Sequence, residues 1–226
     1  MNKDLLKKYY EWDYIIWGQT YKSILMNIES LSRSKKVLEI GSRTGGLAQI
    51  FVDLGFSNVT ISDKGINKRV YPSNLVSLDN IKFLELDLLD DNLNFESQYD
   101  IIIMKSVLGA LKSEEKQEKA LNRIYRMLTN DGMFIIIENQ SSGYLLTSIK
   151  KQFTSWGAYW KYRTMNEFLN ILKTSGFKFV YFNTYGFLNF LFPERIRNFV
   201  GIFDIFFANS FVNKENRYVF FGVLRK

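Results

Sequence analysis

Three acids end short apolar runs at a constant interval of 24 residues: Glu39 in VLEI, Asp63 after NVTIS and Asp87 after IKFLEL. The turn Gly41-Ser42-Arg43-Thr44-Gly45-Gly46 follows the first of them. An acid at the end of a second strand, beyond a glycine-rich first turn, is placed to accept hydrogen bonds from a ribose diol. Asp63 has that place, and Asp87 is placed for the exocyclic amine of an adenine. The plainer alternative is that both acids only cap turns. Lys105 and Glu138 end two further apolar runs, YDIIIM and MFIII, and are the groups available there for proton transfer. The chain contains neither Cys nor His. That removes thiolate and imidazole catalysis, disulfides and the usual Cys and His metal sites.

Positioning these groups at one edge requires strands separated by helices. Residues 5–31 read as helical, with Trp17, Tyr21, Ile24, Leu25 and Ile28 on one face. LAQIFVDLG (47–55) reads as a helix stopped by Gly55. Ser113 caps a helix that carries Glu114 and Glu115 in its first turn, where the helix dipole favours negative charge. Thr164 and Glu167 form a capping box ahead of FLNIL, and Gly176 closes that helix. FKFVYF (177–182) and RYVFFGVL (217–224) read as late strands. Uncharged strands alternating with helices predict an α/β, doubly wound parallel sheet covered on both faces. With 226 residues, 46% of them apolar, and two prolines, one domain is expected. Residues 1–34 would be its N-terminal helical lid or decoration and 35–226 its main body.

The turn departs from the dinucleotide fingerprint, because Arg43 stands where a pyrophosphate needs the middle glycine. VLEIGSRTGG resembles instead the first motif of class I S-adenosylmethionine-dependent methyltransferases, an acid followed by G-x-G-x-G. Glu39, Gly41 and Gly45 match, and Arg43 replaces the central glycine. NVTISDKG, KFLELDLLD, YDIIIMKSVLGAL and RMLTNDGMFIIIEN resemble the family's later motifs in order, and RYVFFGVLRK resembles its closing strand. The resemblance implies a Rossmann-like sheet of seven strands, mostly parallel, with an antiparallel last strand. It implies S-adenosyl-L-methionine as cofactor, held by Glu39, Gly41, Ser42, Arg43, Thr44, Gly45, Asp63, Lys64, Asp87, Leu88, Lys105 and Ser106. Arg43 either pairs with the methionyl carboxylate, which its planar fork suits, or blocks the site. Glu138 or a neutral Lys105 is the candidate base; Glu138 reads equally as a loop anchor, and Lys105 as a solvated or carboxylate-paired lysine. No metal is expected, since the family's metal-dependent members want a carboxylate after strand four, where Lys105 stands.

The decorations should recognise the acceptor. The N-terminal aromatics, Trp17 among them, form either a lid or a packed helix. SWGAYWKYR (155–163) offers Trp156, Tyr159, Trp160 and Arg163, a composition that suits sugars, bases or anionic head groups. The pairing of KSVLG with WGAYWKY loosely resembles bacterial methyltransferases of surface-polysaccharide synthesis. The aromatic stretch 186–207 reads as a packed helix, a dimer surface or an interfacial membrane helix. The expected function is methylation, O-directed, of a small molecule or a glycan, with a lipid-linked glycan among the options. RNA methylation, motivated by a net charge of +7, and an inactive binding protein are the competing readings. Nucleic acid is the less favoured partner. The expected state is a cytoplasmic monomer or homodimer, with peripheral membrane contact as an option.

Overall fold

The apolar runs become one seven-stranded sheet. The computed structural model describes residues 3–10, 13–65, 81–93, 95–143, 147–149, 152 and 159–226. The strands are β1 (Lys36–Ile40), β2 (Asn58–Asp63), β3 (Ile81–Glu85), β4 (Tyr99–Lys105), β5 (Leu128–Asn139), β6 (Lys178–Tyr185) and β7 (Val219–Arg225). Their order is β3-β2-β1-β4-β5-β7-β6. The pairings among β1 to β5 are parallel, and β7 runs antiparallel to both of its neighbours. The chain steps from β1 to β2 on one side and later returns to β4 on the other. The crevice at that reversal is where such a sheet binds ligands.

Side chains alternate across the sheet with period two, so each strand feeds two cores. Val37, Val59, Ile61, Ile101, Ile103 and Ile135 enter one, against α1 (Lys3–Tyr10), α2 (Tyr14–Trp17), α3 (Gln19–Ile28) and α4 (Gly46–Asp53). Leu38, Ile40, Ile102, Met104, Phe134 and Ile136 enter the other, against α5 (Glu114–Met127) and α6 (Met165–Thr174). Each such aliphatic side chain contributes about 2 kcal/mol on burial, which is why these strands are apolar on both faces. The last helix, α7 (Glu194–Phe211), packs against α2 and β6.

The local stop signals act as expected. The Ser113 hydroxyl accepts from the Lys116 N–H, and Thr164 and Glu167 form both bonds of the capping box. Two expectations shift. The helix expected over 5–31 is broken into α1, α2 and α3. Asp13 stands ahead of α2 with φ 50°, its carboxylate drawn inward by the Tyr218 hydroxyl and the Asn189 amide. The strand expected at 133–137 begins at Leu128, paired with Tyr99, before a register shift sets Met133 opposite Ile101.

Candidate active site

The tips of β1 to β5 open into a cavity of about 710 Å3. Its wall holds Glu39, Gly41, Ser42, Arg43, Thr44, Asp63, Lys64, Asp87, Leu88, Lys105 and Ser106. Every residue named above for the cofactor is therefore in this wall except Gly45, which lies just behind it as the N-cap of α4 with φ 76°. The acids that stand 24 residues apart in sequence come from the three adjacent strand tips β1, β2 and β3.

The first turn is stiffened from below. Glu39 is buried and its Oε2 accepts from the Ala48 N–H at 2.8 Å. That N–H belongs to the first turn of α4, a donor no intrahelical carbonyl satisfies and a place where the dipole favours an anion. Ser42 N–H donates to the Ser62 carbonyl at 2.9 Å and Gly45 N–H to the Ser42 carbonyl at 2.7 Å. Gly41, at φ 65°, lies so close to the next strand's loop that a Cβ there would come within 2.6 Å of Val107 Cγ2. Arg43 adopts φ 48°, and its N–H donates to Asp63 Oδ2 at 3.1 Å. Ser106 and Lys112, also in the wall, share the left-handed conformation at φ 57° and 66°. Such a residue costs on the order of 1 kcal/mol each, and side chains held there cluster at functional sites.

Asp87 Oδ2 meets Lys64 Nζ at 2.7 Å, and Leu89 N–H donates to its other oxygen at 2.9 Å. The Lys64 ammonium beside it holds the Asp87 carboxyl below its ordinary range, against a desolvation that pushes the other way. Across the cavity, Lys105 Nζ donates to the Tyr10 carbonyl at 3.4 Å and lies 5.9 Å from the centre of the Tyr10 ring. Ser42 Oγ is buried in the wall with no hydrogen-bond partner among the described residues. That is the mark of a polar site shaped for a group the protein itself does not supply.

Of its two readings, base and loop anchor, Glu138 has the geometry of the anchor. Its side chain is fully buried and does not belong to the cavity wall. One oxygen accepts from the Val107 and Leu108 N–H groups at 2.9 and 2.8 Å, the other from Asn139 N–H at 2.9 Å. Burial pushes its pKa up to about 7 despite those bonds. Glu138 thus holds the turn after β4, and Asn139 beside it reaches the wall.

The residues named for the acceptor separate. Trp160 lines the cavity, packed on Gly109 so tightly that a Cβ there would overlap its indole. Tyr159 is exposed, with Lys112 Nζ 5.3 Å from its ring centre. Arg163 is buried behind the wall, donating to the Gln117 side chain. Trp17 is buried in the core under α2 rather than in the wall, and Tyr9 and Tyr10 are buried with it. The packed-helix reading of the N-terminal aromatics therefore holds for Tyr9, Tyr10 and Trp17. Trp156 lies outside the described residues. The sequence reading missed Val107, Lys112, Lys116 and Asn139 in the wall. Asn139 was visible as the residue after a strand-end acid. Lys112 follows the short turn Gly109–Leu111 and Lys116 stands in the first turn of α5, and neither has a sequence pattern that marks it as facing the cavity.

Comparison with known proteins agrees with this geometry. No curated protein sequence matches the chain. Among solved structures it resembles an S-adenosylmethionine dependent methyltransferase from Mesorhizobium loti, with a TM-score of 0.64, 14% identity, and 92% of this chain and 97% of that one covered. It also resembles Burkholderia thailandensis 1,6-didemethyltoxoflavin-N1-methyltransferase with bound 1,6-didemethyltoxoflavin and S-adenosylhomocysteine, at 0.59, 16%, 93% and 77%. A third is human N-acetylserotonin methyltransferase in complex with S-adenosylmethionine, at 0.56, 20%, 93% and 52%. At these identities the likeness is one of fold. A family model described as a methyltransferase domain matches residues 17–186, which take in the glycine-rich turn and all three strand-tip acids. The chain belongs to that methyltransferase domain family, and its fold is that of the class I, S-adenosylmethionine-dependent enzymes.

Proposed function

We propose that the protein transfers a methyl group from S-adenosylmethionine to an oxygen of a small-molecule or glycan acceptor. The observation that carries this reading is the single cavity shared by the acids of three adjacent strand tips and the turn after β4. Its size and its mixed wall suit a nucleoside-bearing ligand with a second molecule beside it.

The chain's residues divide the work. Asp63, at the second tip, accepts from ribose hydroxyls, while Asp87 and Leu88 meet the adenine. Arg43 pairs with the methionyl carboxylate, and Ser42 Oγ offers it a further hydrogen bond. Glu39 contributes by fixing the turn that carries both. S-adenosylmethionine supplies a methyl group on a cationic sulfur, whose charge is lost as the methyl leaves. A dry wall favours that loss, and Ile40, Leu86, Val107, Ala110 and Leu111 provide one. Alignment of donor and acceptor does most of the rest. Lys105, as a neutral amine, is our assignment for the base that takes the acceptor hydroxyl's proton as its oxygen bonds the methyl carbon. Glu138 acts as a positioning residue through the turn after β4.

RNA methylation is the second reading, favoured by the exposed Lys112 and Lys116 in the wall. Glu114, Glu115 and Glu118 are exposed on the same stretch, and Glu114 pairs with Lys161 Nζ at 2.7 Å. A phosphate backbone needs a stripe of one sign, and this border alternates, which favours a small acceptor. Calorimetric titration with S-adenosylhomocysteine tests the proposal. Saturable one-to-one binding in the micromolar range or tighter is expected, and no binding at millimolar ligand contradicts it.

A further inference from the structure

The last helix turns one face inward and leaves the other bare. Inward, Gly201 and Ala208 are buried, and a Cβ on Gly201 would lie 3.1 Å from Ile15 Cγ2 of α2. The buried Asp204 carboxylate accepts from the Phe187 and Leu188 N–H groups, both at 2.8 Å. Outward stand Ile196, Phe199, Ile202, Phe203, Phe206, Phe207 and Phe211. Phe199, Phe203, Phe206 and Phe211 are 62–71% exposed, unusual for side chains of this size. The rings pair along the face, Phe199 with Phe203 at 5.3 Å and Phe207 with Phe211 at 5.5 Å between centroids.

The width of this face points to its occupant. At about 100° per residue, Ile202 and Phe211 bound an arc of roughly 180°, interrupted by Arg195 in the first turn and Ser210 in the last. One partner helix covers a narrower seam of about two positions in seven. A half-cylinder of apolar side chains is covered by a plane. The bare surface amounts to roughly 800 Å2, taking about 200 Å2 for a fully exposed side chain of this kind, above the usual largest patch of a monomer. In sequence α7 carries Arg195 and Arg197 against Glu194 and the inward-facing Asp204, so the helix itself is neutral and the positive charge is the chain's. The whole chain carries +7. Among the described residues no helix is long and apolar enough to cross a membrane.

We propose that α7 docks the protein on an anionic lipid surface, lying in the interfacial plane with its phenylalanines at the boundary of head groups and acyl chains. The apolar half-cylinder provides adhesion and the positive charge provides preference for anionic head groups. This inference is independent of the reaction the cavity performs.

Flotation of the full chain with vesicles tests it, using equal parts phosphatidylcholine and phosphatidylglycerol beside phosphatidylcholine alone. The protein should float with the anionic vesicles, more weakly with neutral ones, and less well as salt rises. The double variant Phe203→Ser/Phe206→Ser should lose at least about tenfold in partitioning. Its melting point should match the parent's, because both side chains are exposed. A parent protein that stays in the aqueous fractions overturns the proposal, as does equal flotation with both vesicle types. So does a lipid-free dimer, by light scattering, that the same double variant converts to monomer while neither protein floats.

Discussion

The two walls of the cavity are built by different rules. On the side we assign to the methyl donor, Glu39, Asp63 and Asp87 sit at three consecutive strand tips, and each is placed by its own strand. On the side we assign to the acceptor, Lys105 ends β4 and Val107 follows it, but the turn there is held by Glu138 of β5. The Tyr10 carbonyl that receives Lys105 comes from α1, 95 residues away. The donor wall is local and the acceptor wall is cooperative. A wall placed by single strands can be read from local spacing, whereas one set by contacts 30 to 95 residues away in the chain cannot.

The strongest way to break this contrast is to remove a donor-side acid. Asp63→Ala should weaken S-adenosylhomocysteine binding by ~100-fold, the scale of a charge-assisted hydrogen bond in a partly buried site. Binding by calorimetry that stays within a few-fold of the parent would remove Asp63 from the donor wall.

The acceptor side should instead show its cooperativity as a pH-dependent stability. Burial pushes both Glu138 and Asp13 up to about 7, from ordinary values of 4.5 and 3.8. Between those limits the fold holds protons that the unfolded chain has released. Their contribution to stability is therefore full at low pH, falls as pH rises through the window and levels off above about 7. Asp53, Asp87 and Asp100 are held below their ordinary range and act the other way, weakening the fold only as pH drops below about 4. Melting temperature should thus peak near pH 5 and decline toward pH 7. Glu138→Gln should flatten that decline, by on the order of 2–3 kcal/mol, while leaving cofactor affinity nearly unchanged. A variant with the parent's pH profile would show that Glu138 does not carry the effect.

Arg43 gives a smaller and more pointed test, because it separates binding from folding. Its φ of 48° suits glycine better than arginine. Arg43→Gly should leave the melting point unchanged or slightly raised and yet weaken S-adenosylhomocysteine binding by about tenfold. Tighter binding would mean that the guanidinium obstructs the site.

What could be read from the sequence follows the same division. The parallel α/β sheet follows from apolar runs and stop glycines, which are local signals, whereas the seven-strand count and the antiparallel closing strand came from the family resemblance. Glu39, Asp63 and Asp87 were legible because the strand-tip rule needs only spacing. Glu138 stayed open between base and loop anchor, because its side-chain direction depends on Val107 and Leu108, whose N–H groups capture it. The broken helix at Asp13 was invisible for a similar reason. The residue leaves helical geometry to meet Tyr218 and Asn189, partners 205 and 176 residues away. Trp17 read equally as lid or packed helix, and its burial in the core beside Tyr9, Tyr10 and Ile24 decides for the helix.

The central claim is that the strand tips surround an adenosyl group. A crystal structure of the protein with S-adenosylhomocysteine tests it directly. The account predicts the ribose hydroxyls on Asp63, the adenine beside Asp87 and Leu88, and the homocysteine carboxylate at Arg43. A ligand bound outside this cavity, or inside it with the ribose turned away from Asp63, would contradict the account.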